Sequence, residues 1–165
     1  MTEIRVKGLS DLQKFLDQLP AKMEANVLRG ALRAGAKPIR DAARNAAPIG
    51  DPSETNKNKY KLYAGALRDS IKISGRINKR DQKITASVKA GGKAKAGADV
   101  FYAHFIEYGT RPHDEHPGIQ PEPFMRPALD LQASAAVAAA GEYIKKRLST
   151  KHGLDTAEIM IEVDE

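Results

Sequence analysis

The 165-residue sequence has no cysteine and no tryptophan, and aromatic residues make up only 5% of it. Without cysteine there is no disulfide framework and no thiolate to act as nucleophile or metal ligand. Scarce aromatics and abundant alanine point to a small-residue core, which favours close helix packing over a bulky sandwich. No hydrophobic run is long enough to span a bilayer. The alanine-rich stretch Ala133–Ala140 is too short and too closely flanked by charge. The N-terminal MTEIRVKGLSDL lacks the apolar core of a signal peptide. These absences read as a soluble protein, cytoplasmic when made, with no membrane contact. What is present suits one folded domain over residues 1–165, with 41% hydrophobic residues. The net charge of +6 permits contact with nucleic acid or with acidic protein surfaces.

Residues 2–8 read as a short edge strand, with Ile4 and Val6 on one face. Ser10 and Gln13 form a capping box for a short helix that ends at Pro20. A longer helix is expected from Ala21 to Ala46, with Val27, Leu28, Ala31, Leu32, Ile39, Ala42 and Ala43 on its apolar face. Pro38 should kink or split it. Arg29, Arg33, Lys37, Arg40 and Arg44 recur every three or four residues and form a basic stripe, facing solvent, a neighbouring subunit or DNA.

A polar loop follows at 48–63, expected to be mobile or an assembly contact. Ala64 to Ser70 leads into a strand. Ile71, Ile73 and Ile77 alternate with polar residues. After a turn at Arg80–Gln82, so do Ile84, Ala86, Val88 and Ala90, which predicts a hairpin with one wet face. Gly91–Gly97 reads as a flexible loop, and Asp99 as the cap of a short helix ending at Gly109, with Tyr102, Phe105 and Ile106 buried. Pro127 suits the first turn of a final helix with a seam at Leu129, Ala133, Ala136, Val137, Ala140, Ile144 and Leu148. The extension at 150–165 ends in alternating Ile159, Ile161 and Val163, a strand that joins the sheet or another subunit.

Catalytic chemistry finds little support. His104, Glu107, His113, Asp114, Glu115 and His116 are the one ionisable cluster that invites a catalytic reading, but their spacing matches no zinc site. No nucleophile elbow or phosphate-binding loop is present. The expectation is a protein that is not an enzyme, with no cofactor, no metal and no catalytic residue.

Four segments carry a different signal: APIG at 47–50, GALRDSI at 65–71, YAHFIEYGT at 102–110 and QPEPFMRPAL at 120–129. In this order they resemble the neck and tail-completion family of long-tailed phages, over roughly Val27 to Leu148. One departure is the insertion of Asp51–Ala64 between the first two segments. The resemblance implies an α+β, tail-terminator-like fold: a small antiparallel sheet with a long N-terminal helix and a C-terminal helix packed on it. It implies a structural virion protein at the head–tail junction, assembled in the host cytoplasm. Such proteins form rings, commonly of six subunits, between the tail tube and the head-completion or connector proteins, with passing DNA in the lumen. Tyr102, Glu107, Tyr108, Gly109, Phe124, Arg126 and Pro127 are then the structural or interface motif, with Glu107 accepting from backbone donors or pairing with an arginine such as Arg126. Two competing readings are a basic nucleic-acid-binding module, supported by the stripe, and a metal-dependent hydrolase using His104 and Glu107.

Overall fold

The computed structural model describes residues 5–7, 13–14, 16–17, 21–50, 62–78, 83–114, 117–152 and 162–164. Its architecture is α+β. Strand β1 is Arg5–Lys7 and helix α1 is Ala21–Ala46, the span that the apolar spacing predicts. Pro38 removes one helical N–H, yet α1 continues through it unsplit. Helix α2 is Ala66–Ser70, followed by β2 at Lys72–Asn78 and β3 at Lys83–Lys89. Strands β4 (Gly92–Lys93) and β5 (Asp99–Val100) flank a single 3-10 turn at Lys95–Gly97. Helix α3 is Ala103–Tyr108, α4 is Met125–His152 and β6 is Glu162–Asp164. The strands pair two by two, β1 with β6, β2 with β3 and β4 with β5.

Contacts divide the chain into two compact units. Unit 1 comprises residues 1–38, 74–87 and 132–165, and unit 2 comprises 39–73 and 88–131.

In unit 1, Leu16, Val27, Ala31, Ile144 and Leu148 form the core, with Leu28, Ala140 and Tyr143 packed against them. Gly35 shows why the residues here are small. A Cβ on it would lie 2.6 Å from the Ala136 carbonyl oxygen and 3.3 Å from the Ala140 Cβ. The backbones of α1 and α4 therefore approach closely at this point, which larger side chains would forbid. The C-terminal strand pairs antiparallel with β1, Arg5 opposite Asp164 and Val6 opposite Val163. It takes the N-terminal strand as partner rather than joining the hairpin. Ser10, Pro20, Ile159, Ile161, the turn at 80–82 and loop residues 51–61 lie outside the described residues.

Hairpin β2–β3 forms as the alternation predicts, but it is wetter than expected. From Ser74 to Asn78 every residue of β2 is exposed, Ile77 included at 40%. Ile73, Ile84, Ala86 and Val88 are half-buried. The apolar side is thus covered incompletely, so both faces of β2 meet solvent.

Among the described residues, the core of unit 2 is Ala43, Ala47, Ala66, Leu67, Ile71, Ala94, Ala98, Val100, Ala103, Phe124 and Ala128. Ala64 to Ser70 leads into β2 as expected, with residues 66–70 forming a helical turn that follows Gly65 at φ +86°. Two expectations change here. The segment 91–97 is ordered: β4 pairs with β5, and Ala94 N–H donates to the Ala98 carbonyl at 2.8 Å. Asp99 lies in β5 and caps nothing; α3 begins after Tyr102 without a side-chain cap.

Candidate functional site

The clearest constellation in unit 2 is the start of α4. The first four N–H groups of a helix have no partner within it. Here the four positions are Phe124, Met125, Arg126 and Pro127. Glu107, from the end of α3, accepts three of them: Phe124 N–H at 2.8 Å and Met125 N–H at 2.9 Å on Oε2, and Arg126 N–H at 3.1 Å on Oε1. The fourth does not exist, because Pro127 has no N–H. One carboxylate and one proline therefore satisfy the whole helix start, and the helix dipole favours the negative charge there.

Glu107 is only 8% exposed. Burial by itself would raise its pKa. The N–H groups of Met125, Phe124 and Arg126, together with the field of the Arg126 guanidinium, outweigh burial and hold the carboxyl below the usual glutamate value. The Arg126 side chain is exposed and makes no ion pair with Glu107. The contact between the two residues runs through the Arg126 backbone. Phe124, 1% exposed, anchors the joint in the core.

Gly109 closes α3, its N–H donating to the Phe105 carbonyl at 2.8 Å. Its φ of 71° and ψ of 179° define a conformation that glycine almost alone adopts. A Cβ there would also stand 2.7 Å from the Ile119 carbonyl oxygen. The chain then makes a loop whose neck is tied by Thr110 and Ile119. Their backbones exchange hydrogen bonds at 2.9 and 3.3 Å, and Thr110 Oγ1 accepts a further one from Ile119 N–H at 2.9 Å. Glu122 N–H donates to the Ile106 carbonyl at 2.8 Å and brings the chain back to α3.

GALRDSI is a second constellation. Arg44 donates from Nε and Nη2 to the Ile71 carbonyl, at 3.1 and 2.8 Å. Arg68 Nε returns the contact to the Arg44 carbonyl at 2.8 Å. Buried Ser70 donates from Oγ to the Leu67 carbonyl at 2.6 Å and accepts Gly91 N–H at 3.0 Å. Asp69 accepts from the Tyr63 hydroxyl at 2.8 Å and pairs with Lys95 at 3.3 Å. The Tyr63 bond, then Lys95, hold the Asp69 carboxyl below its usual range. Ser70 and Asp69 belong to the GALRDSI motif, but nothing in its pattern points to Gly91, Tyr63 or Lys95 as their partners.

The remaining motif residues divide between core and surface. Tyr102 packs against the unit 2 core, edge-on to the Phe101 ring, while Tyr108 is 71% exposed. The buried residues of α3 are Ala103 and Glu107. Pro127 is half-buried. The basic stripe does not stay uniform. Arg29, Arg33 and Lys37 are exposed, whereas Arg40 pairs with Asp41 at 2.7 Å and Arg44 is spent on Ile71.

His104 and Glu107 do not meet, since His104 is exposed against Phe105 and Glu107 is buried toward α4. His113 pairs with Asp114 at 3.2 Å in open solvent. Among the described residues, no three of His, Asp and Glu converge to hold a metal ion. Among them, too, no helix is long and apolar enough to cross a membrane. This constellation is a joint that fixes one helix to another, with its one buried carboxylate fully committed.

The family described as "Bacteriophage HK97-gp10, putative tail-component" matches residues 10–109. The chain belongs to this family. The matched part of the tail component takes in APIG, GALRDSI and the α3 segment, and it stops at Gly109. QPEPFMRPAL, which supplies the other half of the joint, lies beyond it. No curated protein and no solved structure matches the chain.

Proposed function

We propose that this phage tail component is a structural, non-enzymatic tail-completion protein that forms a ring, of six copies, at the head–tail junction. The observation that carries the reading is the tail-component family match over residues 10–109. One face of the ring rests on the tail tube, and the other receives head-completion or connector proteins. Assembly takes place in the host cytoplasm, and the finished position is in the virion.

Unit 2 supports an assembly role. Ile49, Phe101, Tyr108, Ile119, Leu129 and Leu131 are all between 45% and 76% exposed. Covering these side chains with a partner would add to the free energy of association. The 48–63 loop and the 150–165 extension are further candidate contacts.

The test is to locate the protein in purified virions by mass spectrometry and immunogold labelling, and to weigh the assembled species by native mass spectrometry. Label at the junction with a closed oligomer is the expected result. Absence from virions overturns the reading.

A further inference from the structure

We infer that the basic faces of hairpin strands β2 and β3 are a docking surface for double-stranded DNA, held by charge and without regard to base sequence. From Ile71 to Ala98 the sequence has eight Lys or Arg residues and one carboxylate, Asp81, a net of +7 where the whole chain carries +6. The rest of the protein is therefore close to neutral, and the basic character resides in the hairpin and the turn that follows.

Each strand sorts this charge onto one of its own faces. Alternation puts Lys72, Ser74, Arg76 and Asn78 on one face of β2, and Lys83, Thr85, Ser87 and Lys89 on one face of β3. All of these except half-buried Ser87 are exposed, while the apolar residues of β3 are the covered ones. Lys72 commits its Nζ to the Lys93 carbonyl at 2.6 Å. Arg76, Lys83 and Lys89 make no hydrogen bond or ion pair with any described residue. The basic side of each strand has no carboxylate and no aromatic ring.

Its chemistry selects the partner. Unpaired cations interleaved with Ser, Thr and Asn donors suit phosphate oxygens. A two-stranded ribbon has the width to lie in the major groove of duplex DNA. A single strand would call for aromatic rings to stack its bases, and this face has none. An acidic protein partner would call for apolar anchors among the cations, and this face has none of those either. The Arg29–Arg44 stripe is the weaker candidate, because Arg40 and Arg44 already have partners within the chain. That this DNA is the genome passing through a tail rests on the proposed function; the affinity itself does not.

The test is fluorescence anisotropy of a short mixed-sequence duplex with the full-length protein, between about 50 and 200 mM salt. The triple variant Arg76→Ser/Lys83→Ser/Lys89→Ser should flatten the slope of log affinity against log salt by about 3, roughly one for each cation removed. Arg29→Ser/Arg33→Ser/Lys37→Ser removes the same charge elsewhere and should leave the slope near that of the unaltered protein. Circular dichroism checks that both variants fold. Equal losses in the two triples would reduce the effect to net charge and overturn the inference. So would a failure of the unaltered protein to bind duplex, or polyglutamate binding as tightly as DNA. A protein found in virions that binds no DNA refutes this inference and leaves the proposed function standing. Tight hairpin-dependent binding by a protein absent from virions does the reverse.

Discussion

Units 1 and 2 are built on opposite principles. In unit 1 helices α1 and α4 approach closely at a glycine, with Gly35 against Ala136 and Ala140. Cohesion there comes from short backbone distances and the many weak contacts they allow. In unit 2 short elements that could not stand alone are joined by named hydrogen bonds. Glu107 holds the start of α4, Ser70 holds Gly91, and Arg44 with Arg68 link α1 to α2. A helix of six residues is far below the length that is stable in water, so α3 depends on such ties. Unit 2 should therefore be sensitive to the loss of single polar atoms, and unit 1 to the addition of single methyl groups.

Glu107→Ala should have the largest effect, a loss of about 4 kcal/mol, because three backbone donors lose one acceptor. Hydrogen exchange should speed up first in α3 and the first turn of α4. A loss below about 1 kcal/mol in denaturant melts would break the comparison. Gly109→Ala should cost about 3 kcal/mol, from a φ closed to alanine and a Cβ against the Ile119 carbonyl; thermal melts measure it. In unit 1, Gly35→Ala adds one methyl group against the Ala136 carbonyl and should cost about 2 kcal/mol. If it proves neutral, close backbone approach is not what holds unit 1. Ser70→Ala should cost about 1.5 kcal/mol by leaving Gly91 N–H without its acceptor.

The smallest effect concerns pH. The folded-state pKa of Glu107 is depressed, so its charge stabilises the protein above the unfolded value of 4.5, and that contribution is lost as pH falls through the folded value. Glu107→Gln should cost about 1 kcal/mol at neutral pH, with the gap to the unaltered protein closing below pH 4.5. A gap that stays constant down to acid pH would remove the charge from the argument.

Long, regular elements were legible before the fold was known. The span of α1 follows from its apolar spacing, and the hairpin from strict alternation. Failures cluster where one element buries different sides along its length. The expected seam of α4 included Leu129, which is 51% exposed. At about 100° per residue, Ile144 and Leu148 lie about 160° and 200° around the helix from buried Ala128, so no single stripe describes them. The same spacing separates Val27 and Ala31 from Ala43 and Ala47 on α1 and just past its end. The short pieces of unit 2 were missed for another reason. A six-residue helix or a two-residue strand has too little period to read, and it exists because of its tertiary partners.

What the sequence determined by itself is the set of local preferences: an alanine-rich chain with two long helices, a basic amphipathic hairpin, a proline at the third position of α4, and a glutamate ahead of a glycine. Each rests on covalent geometry or on periodicity within one element. Only the tertiary structure decided which acceptor the start of α4 would use. Glu107 and Phe124 are 17 positions apart, and no local rule chooses between three backbone N–H groups and the Arg126 guanidinium. Burial makes that choice. Phe124 N–H is buried with the carboxylate and the Met125 and Arg126 N–H groups are partly buried, while the exposed guanidinium is free to meet water.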